Sequence, residues 1–501
     1  MKSKVLAMVL AGTMVTGLLA GCGSPAPSAD SAGGTAGNGG DEGVVTLKVA
    51  AMAFNDQSLE AEVEAAANEL LKDKGVAIDI IFINIGSWQQ QTNLLLTGGD
   101  SVDIIPWYGT PLTTYVNNGQ ALALDELVAQ YGQGILEEIP EDMLNVGRID
   151  GKLYGISTDR EVANSYGIWM RKDILEETGI DPSTIKTLED CEAIFAKVKE
   201  LHPEMTCLSG GAGGTLQTNT WGWDQLSDNN NLGVMLDNGQ AGEVVNLYSS
   251  DEYENYIRLM RSWYEKGYIS QDALSNVEDP SVAMRAGTLF SALSHLKPLF
   301  DMQQERATGC EIEVIELVPA SLQTQTVQGM TWGISASSSH PKEAMILLNE
   351  MYTNDELSNI LINGIEGKSY VYTDKEKNMI NYPEGIDASN TPYTAQSWIW
   401  PNAFDTPVWE PYPEDYWEQI EEFNNTAIRS KAFGFAPDTS EVTNEVTACT
   451  NVVAKYHPAL MDGAVDVDKT LDEFLSELET AGIDKIIDLK EKQFEEWKAQ
   501  Q

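Results

Sequence analysis

Cysteine and histidine are scarce in this chain, which has five cysteines and four histidines among 501 residues. No two cysteines form a CxxC pair, and the histidines are scattered. Structural zinc sites and thioredoxin-like redox sites need these residues at close spacing, so the sequence predicts no metal and no cofactor. The wide spacing of the later cysteines predicts four buried free thiols: Cys191, Cys207, Cys310 and Cys449.

Basic residues are also few, with 31 Lys and Arg against 77 Asp and Glu and a net charge of −46. A surface of this charge repels phosphate backbones, so nucleic-acid binding is excluded. The acidity suits solubility outside the cell but identifies no ligand. The length exceeds what one hydrophobic core usually supports, so we expect two or more lobes.

The first 21 residues have the pattern of an export signal. Lys2 and Lys4 give a basic start, and the apolar run 5–19 is too short to span a bilayer. The run ends in LAGC at Cys22, which matches the bacterial lipobox. In lipoproteins with this box, residues 1–21 are removed and the cysteine sulfur receives diacylglycerol. An ordinary secretory signal followed by a chance cysteine is the alternative.

Residues 22–43 are predicted to be a lipidated cysteine followed by a flexible tether. The stretch has no large apolar side chain and is rich in Gly, Ala and Ser, so it cannot bury a core. An acidic body on such a tether would stand away from an anionic membrane.

Strands and helices alternate beyond the tether. Predicted strands cover 44–52, 76–83 and 102–105, and helices capped by Ser58 and Ser87 separate them. This order is typical of a parallel α/β sheet, in which ligands bind at the carboxyl ends of the strands. Trp107 and Tyr108 follow the third strand and offer flat faces to a sugar ring. A core position for Trp107 is the alternative, because Trp is often largely buried.

The segment IDGKLYGISTDREVANSYGIWMRKDIL, residues 149–175, combines a turn, a polar cluster and a strand. Its Asp150-Gly151 dipeptide suits a type I′ hairpin turn. The polar cluster 157–161 is either a solvated loop or the lining of a cleft, because charges are rarely buried unless they are paired. A strand over 166–170 and then a helix are predicted to follow.

Residues 228–239 depart from the calcium-loop pattern of EF-hands. Leu232 would occupy the fifth position and Gly239 the twelfth, where oxygen ligands are needed. The sequence therefore does not predict a calcium site.

Residues 149–175, together with LLLTGGDSVDIIPWYGTPLTTYVNNGQALALDELV and GMTWGISASSSHPKEAMILLNEMYTNDEL, resemble the family-1 extracellular solute-binding proteins, which are receptors of bacterial ABC sugar importers. The resemblance implies an α/β, two-lobe periplasmic-binding-protein-like fold of type II with a multi-segment hinge. It also implies a carbohydrate ligand, ABC permease partners and a monomer.

From Asn363 onward the chain resembles one subfamily of these lipoproteins, which has an uncharacterised, helical C-terminal region. The resemblance rests on NGIEGKSYVY and ELETAGIDKIIDLKEKQFEEW, among other stretches. The expected layout is 44–158 plus 318–364 for lobe 1, and 159–317 plus 365–501 for lobe 2.

Ligand contacts are predicted on both lobes and beside the hinge. The resemblance implies contacts after the first and third strands, at the first crossover and in the segment that returns to lobe 1. Two further tryptophans lie in a Gly-rich loop and in the aromatic segment SWIWPNAFDTPVWEPY. For Trp332 a core position is the alternative. The candidates are Asp56, Trp107, Tyr108, Arg160, Glu161, Trp223, Trp332 and Trp400.

Three functions fit these features. A solute-binding lipoprotein on the extracellular face of the bacterial cell membrane would capture a carbohydrate, expected to be an oligosaccharide, and deliver it to an ABC permease. A surface glycoside hydrolase would need two carboxylates facing each other, and no catalytic motif is visible. A sensor or adhesin on the same scaffold is the third. The first, which is not an enzyme, explains the lipobox, the tether and the tryptophans together.

Replacing Cys22 with Ala should abolish membrane retention, because the thiol that receives the lipid is lost. Cells producing the Cys22→Ala protein should release it or leave it unprocessed, as seen by fractionation and mass spectrometry of the N-terminus. A Cys310→Ala protein, which keeps the lipobox, is the control. Normal processing and retention of Cys22→Ala would contradict the prediction.

Overall fold

The computed structural model describes residues 43–54, 57–98, 102–211, 222–393 and 396–500. Cys22, the tether up to residue 42, and Asp56 lie outside these described residues. Strands and helices alternate along most of the described chain, as the sequence predicts. The strands are β1 Val45–Ala53, β2 Val76–Asn84, β3 Ile104–Trp107, β4 Arg148–Ile149, β5 Lys152–Leu153, β6 Ile156–Ser157, β7 Asn164–Arg171, β8 Thr206–Leu208, β9 Leu289–Leu296, β10 Ile312–Leu322, β11 Thr331–Ile334, β12 Val371–Asp374, β13 Met379–Asn381, β14 Val408–Trp409 and β15 Ile428–Arg429.

The helices vary in length from single turns to five turns. They are α1 Glu60–Leu71, α2 Trp88–Thr97, α3 Leu112–Asn117, α4 Asp125–Tyr131, α5 Gln133–Glu138, α6 Glu141–Val146, α7 Lys172–Thr178, α8 Cys191–Leu201, α9 Leu236–Gly239, α10 Asp251–Glu265, α11 Pro280–Arg285, α12 Phe300–Thr308, α13 Thr324–Gln328, α14 Pro341–Thr353, α15 Asp355–Asn363, α16 Tyr416–Thr426, α17 Thr443–Met461, α18 Val467–Ala481 and α19 Ile483–Lys498. In the part of the chain that is described, none of them is both long and apolar enough to cross a membrane.

Lobe 1 is built on a five-stranded sheet in the order β2-β1-β3-β11-β6. β1 runs parallel to β2 and β3, while β11 is antiparallel to both β3 and β6. The parallel strands predicted from the sequence are confirmed. The predicted caps are not: the Ser58 hydroxyl donates to the Pro392 carbonyl, and the Ser87 hydroxyl donates to the Asn84 carbonyl. Burial of the apolar faces holds α1 and α14 on this sheet.

Lobe 2 is built on a second sheet in the order β15-β10-β7-β9-β8. β7 is antiparallel to both β10 and β9. Its core joins α8 and α10 to the C-terminal helices α17 and α18. Aromatic rings fill this core, with Phe195 edge-on to Trp263 at 4.9 Å and Tyr248 edge-on to Phe474 at 4.8 Å. The C-terminal region is therefore part of lobe 2 and shares its hydrophobic core.

Three segments connect the lobes: the first crossing, residues 158–163, the second crossing, residues 323–330, and the third crossing, residues 401–427. A small buried cluster lies where they meet, and all three crossings contribute to it. Because this cluster shares no buried residue with either lobe core, the hinge has a core of its own. Its buried members are Val146, Val162, Ala163, Leu322, Val327 and Ala427.

Asn424 joins the first and third crossings. Its Oδ1 accepts the backbone N–H groups of Val162 and Ala163 at 3.1 and 3.0 Å. Its Nδ2 donates to the Arg160 carbonyl at 2.7 Å. Asn424 is buried, so water could not take over these hydrogen bonds if the side-chain amide were removed.

Two of the expected lobe boundaries differ from the structure. β10 continues in the lobe 2 sheet to Leu322, so the second crossing begins five residues after the expected boundary at 317/318. Residues 365–400 were expected in lobe 2, but Tyr393, Ile399 and Trp400 are buried in the lobe 1 core. The chain therefore returns to lobe 2 only through the third crossing.

Two local predictions concern the hairpin turn and the thiols. Asp150 and Gly151 have φ values of 50° and 75°, as the predicted type I′ turn requires, and β4 pairs with β5 around them. The four later cysteines are free thiols; three are buried and Cys310 is half-buried.

Replacing Asn424 with Ala should lower the free energy of unfolding by about 2–4 kcal/mol, because buried backbone groups of the hinge lose their partners. Amide exchange should rise at residues 160–163 before it rises in either sheet. Urea unfolding and hydrogen exchange measure both effects. Asn425→Ala, at the exposed neighbouring position, is the control and should change little. A stability unchanged by Asn424→Ala would contradict the bridging role.

Candidate ligand-binding cleft

Aromatic side chains follow two strands of lobe 1 at the edge from which the first crossing leaves. Phe54 comes directly after β1, and Tyr108 comes directly after β3. The ring of Trp398 lies 6.0 Å from Phe54 and 5.8 Å from Tyr108, and all three side chains are half-buried. Ligands bind at this edge in open α/β sheets. The three rings therefore form an aromatic wall on lobe 1.

A cavity of about 160 Å³ lies next to this wall and is called the aromatic cavity below. The Trp398 indole N–H donates to Gln396 Oε1 at 3.1 Å, and Gln396 itself lines the cavity. Most of the remaining lining comes from the third crossing and the segment before it. The lining residues are Ile362, Asn363, Gln396, Ser397, Thr406, Trp409, Tyr412, Tyr416 and Trp417.

Hydrogen bonds and ring stacking fix the aromatic side chains of this cavity. Tyr412 stacks on Tyr416 with ring centres 4.6 Å apart and planes 24° from parallel. The indole N–H of Trp409 donates to Asn363 Oδ1, and that of Trp417 donates to the Thr406 carbonyl, each at 2.9 Å. Because their polar ends are occupied, these indoles keep fixed orientations.

An ion pair joins the first crossing to lobe 2 beside the same cavity. Lys297, just after β9, lies 2.8 Å from Glu161 Oε2, and each side chain is 22% exposed. Burial lowers the pKa of Lys297, but the Glu161 carboxylate and the nearby Tyr416 and Tyr412 outweigh it and raise the pKa overall. Burial raises the pKa of Tyr416 to about 12, although Lys297 opposes this rise. The pair therefore places two charges and two phenols together.

All four predicted tryptophans are buried, and three of them lie in lobe 1. Trp107 is 1% exposed, and its indole N–H donates to the Tyr154 carbonyl at 3.0 Å. Trp332 is fully buried, donates to the Ile399 carbonyl at 2.9 Å and stacks on Trp400 at 5.7 Å. These residues lie in the lobe 1 core and leave no ring face for a ligand in this conformation.

The other predicted contacts divide between the hinge and the cleft. Trp223 is 2% exposed and donates to Asn231 Oδ1, inside lobe 2. The Arg160 guanidinium donates to Thr158 Oγ1 and to the carbonyls of Glu161 and Thr326, so it ties the first crossing to the second. Burial lowers the pKa of Arg160 to about 10. Asp56 lies outside the described residues.

Tyr108 contacts Trp398 in the aromatic wall and Glu161 pairs with Lys297, but neither predicted residue is among those that line the aromatic cavity. The predicted contacts did not include Trp398, Lys297 or Tyr412. Trp398 and Tyr412 lie in the aromatic segment 397–412, where no sequence pattern shows which ring faces inward. Lys297 follows an apolar strand and carries no motif.

A larger cavity of about 600 Å³, the rear cavity, has walls from both lobes. Its lobe 1 wall comes from α3, α6 and the turn between β4 and β5, and its lobe 2 wall comes from residues 433–438 and the end of α19. The wall residues are Thr113, Asn117, Asp142, Asn145, Arg148, Ile149, Asp150, Gly151, Phe433, Gly434, Phe435, Ala436, Asp438, Gln493, Glu496, Trp497 and Gln500.

The first and third crossings also bring carboxyl groups together. The Asp159 N–H donates to the Pro401 carbonyl at 2.7 Å, and the Asp159 carbonyl accepts from Ala403 at 2.8 Å. Burial raises the pKa of the Asp159 carboxyl to about 7, with added repulsion from Glu138, Asp405 and Glu421. Below about pH 7 the Asp159 carboxyl therefore keeps a proton that an exposed aspartate would have released.

The fold and the site define a class: a two-lobe binding protein with a three-segment hinge and aromatic side chains beside that hinge. The family described as bacterial extracellular solute-binding protein matches residues 65–365, and the chain belongs to it. A domain of unknown function, DUF3502, matches residues 431–499, which include α17 to α19.

Relatives and solved structures agree with this assignment. Over 441 residues the chain is 24% identical to a carbohydrate ABC transporter substrate-binding protein of Streptococcus pneumoniae serotype 4, covering 87% of this chain and 88% of that one. A crystal structure of the N-glycan transport solute-binding protein NgtS from S. pneumoniae has a TM-score of 0.79 at 22% identity, covering 90% and 98% of the two chains. The NgtS complex with Man5GlcNAc has a TM-score of 0.68 with the same identity and coverage. At these identities the structures establish the fold.

The raised pKa of Asp159 predicts a pH dependence of stability. Between pH 3.8 and about 7 the folded state holds more protons on this carboxyl than the unfolded state, so stability falls as pH rises through that window. Asp159→Asn should remove this contribution, so its stability relative to the native protein should rise with pH. Urea unfolding across the window measures the difference. Asp150→Asn, at the exposed turn, is the control; a pH-independent difference for Asp159→Asn would contradict the prediction.

Proposed function

We propose that this protein is an extracellular, membrane-anchored solute-binding lipoprotein. It captures a carbohydrate, an oligosaccharide, between its lobes and delivers it to an ABC importer permease. The observation that carries the proposal is the aromatic cavity, which lies beside the Glu161–Lys297 ion pair where the first crossing meets lobe 2.

Sugar rings have apolar C–H faces and polar rims, so a sugar site needs flat aromatic faces together with hydrogen-bonding side chains. The rings of Trp398 and Tyr108 supply faces on lobe 1, and Tyr412 supplies one from the third crossing. Glu161 can accept from hydroxyl groups and Lys297 can donate to them. Asp56, expected in the loop after β1, would add an acceptor.

The ligand class follows from chemistry and from the relatives. The aromatic lining and the net charge of −46 favour a neutral saccharide over an anionic one. A related protein is described as a carbohydrate ABC transporter substrate-binding protein, and NgtS has been solved with Man5GlcNAc. We therefore propose a neutral glycan built from hexose and N-acetylhexosamine units.

Anchoring and delivery are part of the proposal. Lipidation at Cys22 would hold the protein at the outer face of the membrane, and a tether over 22–43 would let the lobes reach the permease. Among the described residues, those that line the aromatic cavity include no carboxylate.

Replacing Trp398 or Tyr412 with Ala should weaken glycan binding by about 30-fold, as expected for an aromatic side chain that covers a sugar face. Isothermal calorimetry with Man5GlcNAc and a panel of shorter mannose and N-acetylglucosamine oligosaccharides measures the effect. The melting temperature should stay near that of the native protein, because both rings are half-buried.

Trp497→Ala is the matched control, since Trp497 lines the rear cavity and lies far from the aromatic wall in the chain. It should leave binding unchanged. Loss of binding in Trp497→Ala with normal binding in Trp398→Ala and Tyr412→Ala would move the site to the rear cavity. Release of shorter sugars during incubation would indicate hydrolysis instead.

A further inference from the structure

A lysine side chain is completely buried in the C-terminal region. Lys490, on α19, is 0% exposed, and the sequence places it on the same helical stripe as Ile487 and Phe494. Its Nζ lies 3.0 Å from Asp228 Oδ2 and 3.2 Å from the Gly233 carbonyl oxygen. A buried ammonium is costly unless it is paired and hydrogen-bonded, so its position needs an explanation.

The two acceptors belong to one tight loop, residues 228–233. Asp228 Oδ1 accepts the Asn230 N–H at 2.9 Å, and Oδ2 accepts the Leu232 N–H at 3.2 Å. Gly233 has a φ of 95°, which favours glycine. A carboxylate that folds a loop back on itself, with a glycine at the sixth position, is typical of loops that surround a cation.

The loop lacks the ligands for a metal ion. Asn230 stands at the third position of the calcium pattern, but the fifth position is Leu232, which has no side-chain oxygen. Among the described residues no group of three or more His, Cys, Asp or Glu side chains is arranged to hold a metal. The only cation that the structure places against Asp228 within the described chain is Lys490.

We propose that the ammonium of Lys490 serves as the built-in cation of the 228–233 loop, and that the C-terminal region acts on the hinge through it. The helix thereby supplies by covalent attachment the positive charge that a calcium loop obtains from solution. Lys490 is a positioning residue in this role, because it acts through the loop that it contacts.

Hydrogen bonds connect the 228–233 loop to the second crossing. Gln325, in α13, donates through Nε2 to Asn229 Oδ1. Gln323 Nε2 donates to the Trp223 carbonyl at 3.0 Å, and the Trp223 indole donates to Asn231 Oδ1 at 3.0 Å. A continuous set of hydrogen bonds therefore runs from α19 through the loop to residues 323–325.

A nearby carboxyl adds to the electrostatic balance of the loop. Asp224 is buried, and burial raises its pKa, while Ser430, the Leu226 N–H and Lys490 lower it. Removing the ammonium would leave the Asp228 carboxylate, which is 17% exposed, without its positive partner. Removing one partner of a buried ion pair is strongly destabilising.

Lys490→Met tests the charge while keeping most of the volume. Its melting temperature should fall by about 5 °C or more. Lys492→Met, at an exposed position of the same helix, is the matched control and should match the native protein. The double variant Lys490→Met/Asp228→Asn should recover part of the loss, because the unpaired carboxylate is removed while one backbone N–H of the loop loses its acceptor.

Hydrogen exchange separates a positioning role from general packing. In Lys490→Met, amide exchange should rise at residues 224–233 and 323–328 while α17 and α18 stay protected. A melting temperature of Lys490→Met equal to that of the native protein would overturn the proposal. So would a double variant no more stable than Lys490→Met, or an exchange increase spread evenly over lobe 2.

Discussion

The side-chain amide of Asn424 is the contact on which the arrangement of the two lobes depends. It satisfies three backbone groups of the first crossing from a helix of the third, and the Arg160 guanidinium then ties the first crossing to the second. The small apolar cluster around Val162 and Leu322 packs against these bonds. The two hydrophobic cores are therefore joined through a compact polar and apolar hinge.

Much of the fold follows from local sequence patterns. Short apolar runs predicted β1, β2 and β7 within a few residues, and Asp150-Gly151 predicted the hairpin turn, because these features depend on neighbours in the chain. The lobe boundaries were harder. Residues 365–400 carry no pattern that distinguishes the two cores, and only packing of Tyr393 and Ile399 shows which lobe they join.

The candidate site shows where sequence reasoning stops. Trp107 and Tyr108 are adjacent, yet the strand turns one ring into the core and the other toward Trp398. Because the two residues are neighbours in an extended segment, their side chains are expected to point in opposite directions, but the sequence does not show which ring is buried. For Lys490 the predicted position on the apolar stripe of its helix was correct. Its burial could not be predicted, because its partner Asp228 lies 262 residues away in the chain.

The distribution of thiols has a practical consequence. Every free cysteine of the described chain lies in lobe 2, and burial raises the pKa of Cys191 and Cys207 to about 12 and of Cys449 to about 11. Such thiols react slowly with maleimides, because the thiolate is the nucleophile. A cysteine introduced at the exposed Leu94 of lobe 1 would thus accept a fluorophore selectively once Cys310 is replaced. With a second dye on lobe 2, the opening and closing of single molecules could be followed in real time.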